Sequence, residues 1–114
     1  MAEYTMFHNP QCSTCRKTLA LLEGESCQVD TVEYLKENPS LQELKRIAGL
    51  LGLRPKGFIR TKEAIFKELD LDLEDDEGLL QAMAKHPRLI ERPIVIKNGK
   101  AVVARPPEKV RELL

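Results

Sequence analysis

A short apolar run, Tyr4 to Phe7, gives way within a few residues to a segment with helical periodicity (Leu19, Leu22), and the junction carries Cys12-Ser13-Thr14-Cys15. This junction restricts the fold more than any other feature of the chain. A strand that ends in C-x-x-C at the mouth of a helix is the pattern of a thiol-redox site. It places the first sulfur where several backbone N–H groups have no partner and point outward. The helix dipole favours negative charge at the same place. Both effects stabilise a thiolate, the reactive form of cysteine. A free thiol of pKa about 8.5 is only ~3% ionised at neutral pH, and lowering the pKa to about 6.5 raises that to roughly three-quarters.

The remaining composition bounds the setting. At 114 residues the chain amounts to one domain, expected to span 1–114. Lys and Arg together number 18, as do Asp and Glu, so the formal charge is zero and no broad attraction to nucleic acid or to an anionic membrane is expected. No apolar run approaches the ~20 residues that span a bilayer. The opening Met1-Ala2-Glu3 lacks a basic segment leading into an apolar one, so no secretory signal is expected. Three cysteines do not complete a disulfide framework. The expected compartment is the reducing cytoplasm, where C-x-x-C is more often catalytic than structural. A monomer is the expected state.

Tyr4 to His8 reads as a strand and Asn9-Pro10-Gln11 as a turn, since proline disfavours the helical conformation in the residue before it. A helix is predicted from about Cys12 to Glu23, with Gly24 to stop it. Val29 to Tyr34 alternates as a half-buried strand does. Ser40 and Glu43 form a capping box ahead of Leu41, Leu44, Ile47, Ala48 and Leu51, with Gly52 as a stop. Pro55 to Leu69 has helical composition with a break near Arg60 and Thr61. Asp75 or Asp76 caps a helix carrying Leu79, Leu80 and Met83, which His86-Pro87 ends. Pro93 to Ile96 and Ala101 to Ala104 form a ribbon about the hairpin dipeptide Asn98-Gly99. Pro106-Pro107 starts a terminal helix through Val110 and Leu113. The order is β-α-β, a helical insertion over about 38–88, a hairpin and a helix. This is the thioredoxin plan, an α/β fold with a small mixed four-stranded sheet and flanking helices.

The plan has a geometric consequence. If the first two strands are parallel and Pro93 to Ile96 runs antiparallel to the first, then His8, Arg92, Arg105 and Cys12 share one sheet edge. Two guanidinium forks then face a sulfur, and such forks bind tetrahedral oxyanions well. Cys12 is the candidate nucleophile, and His8 and the arginines add to the helix effect. Cys15, one turn further, either resolves a mixed disulfide at Cys12 or is a buried small residue that never reacts. Cys27 reads as a small core residue. Arg60 has no place from pattern alone. A zinc site would need two further ligands that no second C-x-x-C or His pair supplies, so no metal is expected. His86 reads as a helix-end residue, and the acidic stretch Glu74 to Glu77 as the complement of a helix dipole.

The residues His8-Asn9-Pro10-x-Cys12-Ser13-Thr14, Arg60, Glu91-Arg92-Pro93-Ile94-Val95 and Ala104-Arg105-Pro106-Pro107-Glu108 together resemble the glutaredoxin-coupled arsenate reductase family. The resemblance runs the length of the chain. It implies a thioredoxin-like fold with a helical insertion, Cys12 as attacking thiolate, and His8 as a residue that helps depress its pKa. It implies that Arg60, Arg92 and Arg105 bind the oxyanion, and that Pro93 is the cis-proline facing the cysteine. The implied substrate is arsenate, the cosubstrate glutathione with no bound cofactor, and the protein partner glutaredoxin. One departure stands out: members often lack a cysteine where this chain has Cys15. The run Cys-Ser-Thr-Cys-Arg-Lys is also similar to the Spx regulators, which share the fold, bind RNA polymerase and sense oxidants. A thiol-disulfide oxidoreductase of other substrate and a redox-sensing regulator therefore stay open as alternatives.

Overall fold

The computed structural model describes residues 3–114. Met1 and Ala2, part of the opening read above for a leader, lie outside them. The chain divides into two compact units, one made of the chain up to Glu37 with Arg92–Leu114, the other of Asn38–Glu91. Among the described residues no helix is long and apolar enough to cross a membrane.

The first unit holds β1 (Tyr4–Phe7), α1 (Ser13–Gly24), β2 (Val29–Val32), β3 (Ile94–Lys97) and β4 (Lys100–Val103), and ends in a 3-10 helix at Pro107–Leu113. The sheet order is β2-β1-β3-β4. β1 and β2 are parallel, as a helical crossover between them requires. β1 pairs antiparallel with β3, and β3 with β4 about Asn98, whose φ of 53° suits the tight turn. The register aligns Phe7 with Ile94 and Ile94 with Val103. The residues that follow β1, precede β3 and follow β4 therefore emerge at one edge, as the sequence pattern anticipates.

Alternation along β1 sends Tyr4 and Met6 into a core with Leu22, Val95, Ala104, Val110 and Leu113. Phe7 turns to the opposite face and stacks on Tyr34, with centroids 6.1 Å apart and planes at 14°. The terminal segment is helical as expected, but its geometry is 3-10. Val110 and Leu113 lie three apart and are both buried, and three residues per turn puts them on one side.

The second unit contains α2 (Leu41–Leu51), α3 (Ala64–Glu68) and α4 (Asp76–Lys85), with 3-10 turns at Pro55–Gly57 and Pro87–Leu89. The Ser40 hydroxyl accepts from the Glu43 N–H at 3.1 Å, and Gly52 closes α2 in the left-handed region at φ 67°. Asp75 caps α4 by accepting from the Gly78 N–H at 3.1 Å, and His86 ends that helix. α2 packs on α4, with Leu44, Ile47, Leu79 and Met83 buried. A short antiparallel bridge joins Ile59 to Ile90, flanked by Arg60 N–H to Leu89 O at 2.7 Å and Glu91 N–H to Phe58 O at 2.9 Å. Arg54 and Lys56 pair with Glu74 and Asp76 on the surface, where solvent screening leaves such pairs little weight in stability.

Candidate active site

The turn from β1 into α1 is built by its own short-range hydrogen bonds. The His8 N–H continues the parallel pairing by donating to Val32 O at 2.8 Å. Asn9 then folds the chain: its side-chain oxygen accepts from the Gln11 N–H at 3.0 Å and its carbonyl from the Cys12 N–H at 2.9 Å. The Arg16 guanidinium reaches back to Pro10 O at 2.9 Å. Cys12 is left in an extended conformation, φ −94° and ψ 121°, as the N-cap of α1. No acidic side chain occupies the first turn. The contrast with α4 is clear, since Asp75, Asp76 and Glu77 already answer the free N–H groups and dipole there. At α1 the anion has to come from elsewhere.

Cys12 is half-buried, and its sulfur makes no cap hydrogen bond as a neutral thiol. Ionisation changes that. Burial alone pushes the Cys12 thiol up, but the Cys15 backbone N–H, the Arg92 guanidinium and the Cys15 thiol outweigh it and bring the pKa down to about 6. A thiolate accepts hydrogen bonds far better than a thiol, so these donors act on the charged form. Cys15 is fully buried and moves the other way, to about 11, first because of burial and then because the neighbouring Cys12 charge repels a second anion. The pair thus separates into an accessible sulfur that is ionised at neutral pH and a buried one that holds its proton.

Arg92 lies beside both the Cys12 sulfur and the Tyr34 hydroxyl; burial opposes its charge, but these two neighbours prevail and raise its pKa. Its Nε is buried without a hydrogen-bond partner. Arg105 joins it at the edge by donating from Nη1 to Arg92 O at 2.9 Å. The Arg92–Pro93 peptide is cis, in line with the family resemblance, and so is Arg105–Pro106.

His8 behaves differently from expectation. It is buried, and burial, first, and the nearby Arg16 lower its pKa below 6.5 against the opposing pull of Glu33. Both effects disfavour the protonated ring that would add a positive field to the thiol. Arg60 belongs to the second unit, where its guanidinium donates to the Glu91 carboxylate at 3.2 Å. Cys27 precedes β2 and packs against the core of the first unit.

Two contributors carried little signal in the sequence. Tyr34 follows β2 and meets Arg92 only through sheet register, with no local motif to mark it. Asn9 was legible as a turn residue, but its backbone also lowers the Cys15 thiol's pKa. Among the described residues no group of three His, Cys, Asp or Glu side chains is arranged to hold a metal.

The fold and the ionised N-cap cysteine define a thioredoxin-like thiol protein. The particular branch follows from its relatives. The chain belongs to the ArsC family, whose pattern matches residues 7–113. It is 47% identical to an arsenate reductase of Neisseria meningitidis, over 100% of both chains. It is 45% identical to an arsenate reductase of Haemophilus influenzae, over 96% of this chain and 97% of that one. The solved structure of an arsenate reductase from Vibrio cholerae is also similar, at TM-score 0.93 and 47% identity over 99% of this chain and 98% of that one.

Proposed function

We propose that this chain is an arsenate reductase of the glutathione- and glutaredoxin-dependent type, an oxidoreductase of the cytoplasm. The observation that carries the proposal is the Cys12 sulfur, placed at an uncapped helix N-terminus beside Arg92 and ionised at neutral pH. A nucleophile of this kind, set against preorganised cations, is suited to attack on an oxyanion whose charge would otherwise repel it.

In this mechanism arsenate docks on Arg92 and Arg105. The Cys12 thiolate attacks arsenic and an oxygen departs as water, leaving a sulfur–arsenic(V) bond. A glutathione thiolate attacks the Cys12 sulfur, and the sulfur–arsenic electron pair stays with arsenic. Arsenite leaves and Cys12 is bonded to glutathione. A glutaredoxin thiolate takes the glutathione and restores Cys12. Arg60 enters on the motif match alone, as a third guanidinium for the oxyanion.

The test is steady-state reduction of arsenate with glutathione and glutaredoxin, run beside Cys12→Ser. The native chain should produce arsenite and the variant none. Substantial arsenite from the variant would rule the assignment out.

A further inference from the structure

Cys15 is the buried nucleophilic group that the scheme above leaves unused. Its position is specific. Cys12 is the N-cap and Cys15 the third residue of α1, the two positions whose side chains each reach the other's backbone N–H in a capping box. Residues three apart on one helical turn are neighbours, with Cβ atoms about 5–6 Å apart, and a disulfide draws such atoms to about 3.5–4.5 Å. Cys12 keeps extended backbone dihedrals, so its side chain swings without disturbing the helix. Each sulfur shifts the titration of the other, which requires them to be close.

The third cysteine is elsewhere. β1 and β2 run parallel, with Tyr4 opposite Val29 and Phe7 opposite Val32. Cys12 follows the Phe7 end and Cys27 precedes the Val29 end. A four-residue strand therefore separates their edges, about 10 Å or more. Among the described residues, Cys15 is the only cysteine within reach of Cys12.

We propose that Cys15 takes the place of glutathione in the step that frees arsenite, so that a first turnover needs no external thiol and ends in a Cys12–Cys15 disulfide. This rests on the arsenate reductase reading above. The step balances within the chain. Cys12 bonds to arsenic(V) with loss of water. Cys15 gives its proton to water and its thiolate attacks the Cys12 sulfur. The sulfur–arsenic bond breaks with its electron pair retained by arsenic, which leaves as arsenite. Two thiols are oxidised by two electrons and arsenic is reduced by two. Glutathione, with glutaredoxin, then reduces the disulfide instead of attacking the arsenic adduct.

The electrostatics give the step an order. While Cys12 is an anion, its charge and hydrogen bond hold the proton on Cys15. Bonding Cys12 to arsenic removes that charge. Arg92 and the Asn9 backbone, which both lower the Cys15 pKa, are left opposed by burial alone. Burial still favours the protonated thiol, but the part of its hold that came from Cys12 is gone, so Cys15 gives up its proton more readily once its target has formed.

The experiment uses Cys27→Ser protein, reduced and then freed of reductant, mixed with excess arsenate and no thiol. The expected result is one arsenite per chain, a mass lower by two hydrogens, and a peptide linked through Cys12 and Cys15. Adding Cys15→Ser should abolish this burst, and subsequent glutathione should restore arsenite release, showing a folded and competent chain. If the parent releases arsenite only with glutathione and keeps its thiols, the Cys15 step is overturned and the reductase reading stands. If no arsenite forms with or without glutathione and glutaredoxin, both are overturned.

Discussion

Replacing Arg92 by Met tests which group ionises Cys12. An opposite charge within about 4–6 Å shifts a pKa by roughly 1–3 units. With Cys12 at about 6, the thiolate fraction at pH 7 is about nine-tenths; loss of Arg92 moves the midpoint to about 7.5 and the fraction to about one-quarter. The rate of alkylation at pH 7 is nevertheless a poor readout. Thiolate nucleophilicity rises with pKa, and a Brønsted slope of about 0.4–0.5 makes the more basic sulfur ~5-fold faster per thiolate, which cancels the ~4-fold loss of anion. The two effects separate away from neutrality. At pH 5 the variant loses ~30-fold in thiolate and is alkylated about 6-fold more slowly; at pH 9 both are largely ionised and the variant is about 5-fold faster. The assay is iodoacetamide alkylation of Cys12 followed by mass spectrometry from pH 4.5 to 9.5, in protein carrying Cys27→Ser. Rate profiles that cross near neutrality are the expected outcome. If the variant's midpoint stays at about 6, the helix end and the Cys15 thiol hold the anion and the role given to Arg92 is wrong.

Stability should fall on acidification below pH 9. The folded Cys12 pKa lies below its unfolded value, so its contribution is full above about pH 9 and is lost as pH drops through about 6. His8 acts in the same direction at lower pH, since its folded pKa is depressed below 6.5. Urea midpoints measured from pH 9 to 5 should decline, and Cys12→Ala should flatten the upper part of that decline; an unchanged slope would show that Cys12 is not the titrating group. In the second unit, Gly52→Ala forces a Cβ into the left-handed region at φ 67°. It should lower stability by about 1 kcal/mol, read as a shift in urea midpoint without change in slope, and a neutral result would mean that the cap rearranges freely.

Much of this protein is written in short-range chemistry. Ser40, Gly52 and Asp75 end their helices through hydrogen bonds and dihedrals that span a few residues, so the residue types announce the geometry. The same holds for Asn98-Gly99 and for Cys12 at the strand–helix junction. Even the shared edge of His8, Arg92 and Arg105 follows once the pairing of β1 with β2 and β3 is assumed, because strand register is a counting rule. What the residues did not announce depends on distant groups. The lowered pKa of His8 comes from burial and the field of Arg16, against that of Glu33, not from anything next to it in the chain. The place of Tyr34 beside Arg92 arises from register. Burial raises both thiols of a motif that reads symmetrically, but hydrogen bonds from the Cys15 N–H and Arg92 overcome it at Cys12 only, leaving one ionised and the other protonated. Sequence alone determined where the reactive sulfur stands, because helix ends are local. Tertiary structure decided which charges face it and which titratable groups keep their protons, because desolvation and Coulomb energies depend on what has been brought near through space.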